Sequence, residues 1–192
     1  MNLKSGIIII GSLIWDKSDI RKYWRKNYLN ENSKIIVDLP IRYGRISASR
    51  MNTYTMVYST NLSKSELGKG IILELKNEID NIKSLREILE NSIRVERDIN
   101  KSEWECLKKG EAFTLNWSWG VVGLCINPKH IDSNMKFSSK IEPIVQYWND
   151  NLSDFDPKIF SLANEGIFIE KNGQFEIEWT KEMDGLDFYL LL

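Results

Sequence analysis

The chain has few of the residues that most catalytic schemes and metal sites need. Its 192 residues include a single histidine, His130, and two cysteines, Cys106 and Cys125, without metal-ligand spacing. A Ser-His-Asp or Cys-His mechanism would depend on His130, which follows Asn127 and Pro128 in a stretch typical of a loop. We therefore expect a solvated His130 and a buried, inert Cys125. We predict neither a metal nor a cofactor.

The sequence also lacks an excess of either charge and any long apolar run. It carries 26 basic and 27 acidic residues, a formal net charge of −1. Such a balance gives no global field that would attract nucleic acid. No apolar run approaches the roughly 18 residues that span a membrane, and the start has no secretory pattern. We expect a cytoplasmic protein with neither nucleic-acid nor membrane partners.

Strand and helix patterns are mixed along the chain. Ile7–Ile10 is a run of β-branched residues that predicts a strand buried on both faces. Ser18 or Asp19 is expected to cap the first helix, and Ser84 the latter part of the second. The predicted strands are 34–39, 53–58, 70–75 and 121–126, the helices are 20–28, 79–97, 141–148 and 159–163, and a hairpin covers 167–179. The mixture predicts one α+β domain with a mixed or closed sheet.

The first predicted strand ends at Gly11 and Ser12. Glycine allows positive φ and close backbone approach, so the amides of Gly11, Ser12 and Leu13 could converge on an anion or carbonyl oxygen. The alternative is an ordinary turn after a core strand.

Arginines are concentrated in two further segments. Arg50, the last of three in nine residues, precedes a predicted strand, where its planar fork could bind a carboxylate or form a structural ion pair. On the first helix, basic residues fill the face opposite the apolar one, and we expect them to be solvated: Arg21, Lys22, Arg25 and Lys26.

Taken together, these segments resemble the γ-glutamylcyclotransferase-like superfamily. Gly11–Trp15 is similar to the family's substrate loop, a tyrosine-glycine-serine-leucine or -asparagine sequence after the first strand. Tyr43–Thr53 is similar to the arginine-rich segment that precedes a strand, and Gly70–Leu75 to a glycine-led strand followed by a helix bearing a glutamate. The likeness covers about the first half of the chain and extends to the strand between Trp119 and Pro128.

The resemblance implies a small mixed or closed β-barrel flanked by helices, with a pocket at the barrel mouth. We predict a core over residues 1–128 and a C-terminal helical and β-hairpin extension over 129–192, packed on the same domain. The apolar end, residues 188–192, is expected to dock on the body or on a second subunit, so a homodimer stays open.

The resemblance also implies an enzyme that releases 5-oxoproline from a γ-glutamyl amide or a related small amide. The substrate's own α-amine attacks its γ-carbonyl while a glutamate moves the proton. Glu96 is the expected acid/base and Glu90 the alternative; the competing interpretation of either is an ion pair with a helix arginine. The small-molecule substrate, with amide and carboxylate groups, would be bound by Ile10, Gly11, Ser12, Leu13, Ile14 and Arg50.

Two departures from the family pattern favour a second interpretation. Ile10 stands where the family usually has a tyrosine, and the segment from Arg50 to Thr53 lacks the adjacent arginine-glycine-threonine. The alternative is a non-catalytic module that binds a small ligand or a protein on the same fold. Some of the seven tryptophans would then line its groove.

Overall fold

The computed structural model describes residues 1–47, 52–58, 62–96, 98–108, 123–151 and 179–191. These ranges form a mixed α+β structure, as predicted. The strands are β1 (Ser5–Ile9), β2 (Leu29–Leu39), β3 (Ile41–Ser47), β4 (Thr53–Tyr58), β5 (Gly68–Leu75), β6 (Gly123–Ile126) and β7 (Phe188–Leu191). The helices are α1 (Asp19–Tyr28), α2 (Ile82–Glu96), α3 (Lys101–Lys108) and α4 (Glu142–Asn151). None of these helices is long and apolar enough to cross a membrane.

Five strands form one sheet in the order β2-β5-β1-β7-β6. The central strand β1 pairs antiparallel with β5 and parallel with β7. Strand β7, from the segment 129–192, therefore docks within its own chain, between β1 and β6. The predicted hairpin and the predicted helix 159–163 fall almost wholly outside the described residues.

The remaining two strands, β3 and β4, form a separate antiparallel hairpin whose register shifts between Tyr43 and Arg45. Of the two predicted alternatives, a mixed or a closed sheet, the described strands confirm the mixed one: they make an open mixed sheet and a hairpin, not a closed barrel. Pro40 separates β2 from β3 and has no N–H to donate to a ladder, so the pairing of β2 with β5 ends at Leu39.

Both faces of the central strand are buried, as the isoleucine run predicts. Ile7 and Ile9 belong to a cluster that packs against the helices and includes Trp24 of α1 and Trp148 of α4. Ile8 belongs to a second cluster on the other face. The three isoleucines are at most 1% exposed, because side chains alternate across a strand and each face has its own cover.

The helix caps confirm one prediction and correct another. The Ser18 hydroxyl accepts the Arg21 N–H at the start of α1. Ser84, by contrast, is not the cap of α2, which begins at Ile82. Its N–H donates to the Asn81 side chain at 2.9 Å, so Asn81 has the capping role and Ser84 reciprocates. The prediction failed because both residues are good caps.

Candidate functional site

The loop after β1 is a tight turn that starts at Gly11. Gly11 has a φ of +73°, a conformation that favours glycine, and a Cβ built there would meet no atom within 4 Å. Residues 11–14 form a short 3-10 turn, and the amides of Trp15 and Asp16 donate to the Ser12 carbonyl. Leu13 is buried and fixes the turn to the core.

Two arginines of α1 donate hydrogen bonds to this loop. Arg25 donates to the carbonyls of Leu13 at 2.5 Å and Asp16 at 2.7 Å. Arg21 donates to the Asp16 carboxylate at 2.6 Å. The expectation that these arginines are solvated is wrong, because both are less than a tenth exposed and take the loop's oxygens as partners. Lys22 is exposed, as predicted.

A cavity of about 420 Å³ separates the loop from the β3–β4 hairpin. Three aromatic side chains in its wall, Trp15, Tyr43 and Tyr54, are each more than half exposed. We call this space the loop cavity. Its lining consists of Gly11, Ser12, Trp15, Asp16, Tyr43, Thr53, Tyr54, Thr55 and Met56. It therefore combines aromatic surface, hydroxyl groups and one carboxylate.

The carboxylate is Asp16, which is not among the site residues predicted from the sequence. Its oxygens accept the Ser18 N–H at 2.8 Å and the Arg21 guanidinium, and its side chain is 28% exposed. Its position in the sequence could have indicated this role, because Asp16 directly follows the glycine-serine loop and Arg21, its partner, lies on the helix that comes next.

The two predicted acid/base residues lie at different places on α2, and neither is among the residues that line the loop cavity. Glu96 is the half-buried last residue of the helix, and its carbonyl accepts a hydrogen bond from Arg21 at 3.2 Å. Arg21 thereby connects the end of α2 to Asp16. Glu90 accepts the Arg86 Nε–H at 2.9 Å and lines a separate groove between helices.

The predicted substrate-binding residues divide into three groups. Gly11 and Ser12 line the loop cavity. Ile10, Leu13 and Ile14 contact the hydrophobic clusters instead. Arg50 lies outside the described residues, three positions before Thr53, which does line the cavity.

A second polar cluster surrounds Asp187, just before β7. His130 bridges the Asp187 carboxylate at 2.8 Å and the Ser138 hydroxyl at 2.9 Å. The expectation of a solvated His130 is wrong: it is 7% exposed, because its short turn packs against the chain before β7. Lys140 and the Lys4 N–H also donate to Asp187, so the carboxylate joins three segments. We interpret this cluster as a structural clamp.

The described ranges contain no group of three or more histidine, cysteine, aspartate or glutamate side chains that could hold a metal ion. Comparisons of the chain with protein-family models, with curated proteins and with solved structures find no match.

Proposed function

We propose that the chain is a γ-glutamylcyclotransferase-like enzyme that releases 5-oxoproline from a γ-glutamyl amide or a related small amide in the loop cavity. One observation carries the proposal. The glycine-serine loop and the strand that follows Arg50 are far apart in sequence, yet both line one cavity. These are two of the segments that carry the family resemblance. We also infer the family's fold, with the sheet and the β3–β4 hairpin as its parts.

The cavity suits a small organic substrate. Its volume of about 420 Å³ lies within the range typical of small-molecule sites. Trp15, Tyr43 and Tyr54 offer apolar surface, and the hydroxyls of Ser12 and Thr53 offer hydrogen bonds to an amide or a carboxylate. Buried guanidinium groups hold the loop in place, so little of it needs ordering when a ligand binds.

The proposed reaction needs no protein nucleophile. The substrate's α-amine forms a bond to its own γ-carbonyl carbon, and the bond from that carbon to the departing amine breaks. Because the attack is intramolecular, proximity supplies much of the rate. A carboxylate accepts the proton of the attacking amine and returns it to the leaving amine.

We assign the acid/base role to Glu96. It ends the helix whose last carbonyls accept hydrogen bonds from Arg21, the residue that also binds Asp16 at the cavity. Asp16 already accepts hydrogen bonds from Arg21 and Ser18, so we assign it a positioning role.

The proposal is tested by incubating the purified protein with glutathione and a panel of γ-glutamyl amines and measuring 5-oxoproline by mass spectrometry. We expect release with at least one substrate, and a fall of about a hundredfold or more in Glu96→Gln. Glu31→Gln, an exposed strand carboxylate, is the matched control and should keep full activity. No release of 5-oxoproline from any substrate would contradict the proposed enzymatic activity. Equal rates in Glu96→Gln and Glu31→Gln would contradict the role of Glu96.

The second candidate is a non-catalytic module that binds a small ligand in the same cavity. Ile10 favours it, because an isoleucine there removes the hydroxyl that the family usually places beside the loop. Thermal unfolding with γ-glutamyl amides distinguishes the two functions. Equal stabilisation of wild type and Glu96→Gln, without product, would indicate binding alone.

A further inference from the structure

A groove of about 670 Å³ lies between α1, α2 and α3 and shares no lining residue with the loop cavity. We call it the helix groove. Its lining combines aromatic residues with charged groups of both signs. The residues are Asp19, Ile20, Tyr23, Tyr28, Glu87, Glu90, Asn91, Arg94, Asn100, Lys101, Trp104 and Glu105.

Arg94 is the unusual member of this lining. It is half-buried, and its Nε–H is shielded from solvent without an acceptor among the described residues. An unsatisfied buried donor costs about 1–3 kcal/mol, and a charged donor costs more. Arg86, two turns earlier on the same helix, has Glu90 as its partner. Because Arg94 also lines the groove, its terminal guanidinium nitrogens, and not the shielded Nε–H, are the donors that an anionic group in the groove would meet.

The charges beside Arg94 limit which anion fits. Glu90 and Glu87 lie four and seven residues before it, which the helical rise places about 6 and 10 Å away along α2. Glu87 is exposed and has no ion pair among the described residues. A polyanion would be repelled by these carboxylates. A molecule with a carboxylate at one end and an ammonium at the other would match both charges.

The aromatic residues of the groove suit the linker between the two charged ends of such a molecule. Tyr23 is 56% exposed, and Trp104 lies in the lining although only 4% of it is exposed. An aliphatic or peptide linker can pack against the exposed ring of Tyr23 while its charged ends bind.

We propose that the helix groove binds a small zwitterion, an ω-amino acid or a short peptide, with the carboxylate on Arg94 and the ammonium on Glu87 and Glu90. This site is independent of the loop cavity, and its test needs no catalytic turnover.

The test uses ε-aminocaproate as the probe, with caproate and hexylammonium as single-charge controls, and follows binding by calorimetry. We expect the zwitterion to bind about tenfold more tightly than either control. Arg94→Gln should weaken its binding about tenfold or more, and Glu87→Gln about threefold. Lys83→Gln removes an exposed charge from the same helix outside the groove and should leave binding unchanged.

Three results would overturn the proposal: no binding of ε-aminocaproate at millimolar concentration, equal affinity for caproate, or unchanged affinity in a folded Arg94→Gln variant. Glu87 is exposed, so Glu87→Gln keeps the test decisive even where Arg94→Gln fails to fold. Unchanged binding in Glu87→Gln would refute the ammonium position.

Discussion

The clamp at Asp187 predicts a specific dependence of stability on pH. Burial of the carboxyl opposes its ionisation and raises its pKa. Hydrogen bonds from Lys140, His130 and the Lys4 N–H outweigh burial and lower the pKa of Asp187 from 3.8 to about 2. The carboxyl of Asp187 therefore ionises more readily in the folded chain than in the unfolded chain. Its ionisation stabilises the fold.

The magnitude follows from these two values. A pKa lowered from 3.8 to about 2 corresponds to about 2 kcal/mol of folding free energy, fully present above about pH 5. Because the folded pKa is the lower one, this contribution falls as the pH falls. It decreases to about half of its full value at pH 3 and to less than about a quarter at pH 2.

Urea unfolding of wild type and Asp187→Asn over the range from pH 7 to pH 2 measures this contribution. The other carboxyl groups titrate in both proteins, so the difference in unfolding free energy reports the titration of Asp187 together with its contacts to His130 and Lys140. We expect Asp187→Asn to be less stable by about 2–3 kcal/mol at pH 7, and the difference to shrink by about 2 kcal/mol by pH 2. Glu31→Gln should stay close to wild type throughout. A difference that is constant, or that grows as the pH falls, would refute the reasoning.

Two further substitutions test the packing around the sites. Arg25→Met leaves the Leu13 and Asp16 carbonyls without their buried donor, so we expect a loss of about 2–3 kcal/mol in urea unfolding, whereas Lys22→Met on the exposed face should cost little. In Gly70→Ala the new Cβ would lie 2.2 Å from the Cδ1 of Leu39, which is fully buried, so we expect a loss of about 1–3 kcal/mol. Gly185→Ala, where a Cβ meets no atom within 4 Å, is the control for that measurement and should unfold like wild type.

The parts of the fold that the sequence predicts well are those with a local signal. The run Ile7–Ile10 predicts a strand covered on both faces, and Ile8 does pack on one face while Ile7 and Ile9 pack on the other. Helix α1 has both apolar periodicity and a serine cap, and the structure confirms both. These features depend on neighbours in the chain, so sequence patterns determine them.

The features that the sequence does not predict depend on distant partners. Nothing near Arg21 indicates that its Nε–H donates to the Val95 carbonyl, 74 residues away. His130 is similar, since its partner Asp187 is 57 residues further along. The loop composition correctly predicts the short turn that contains His130. The burial of this turn depends on where the chain before β7 lies, and no local pattern indicates that. Barrel closure is also a long-range property, because it depends on which strand pairs with each sheet edge.

Arg21 changes how the glycine-serine motif is interpreted. The motif alone is consistent with an ordinary turn, since many strands end in glycine. In the structure one buried guanidinium binds the Asp16 carboxylate beside the loop cavity and the carbonyls of Val95 and Glu96 at the end of α2. Burying a charge is costly unless its partners are in place, so these acceptors stabilise the buried Arg21 and fix the loop against the end of α2. That connection keeps the end of α2 at a fixed position relative to the loop, which is the fixed geometry that the proposed intramolecular attack would require of its binding site.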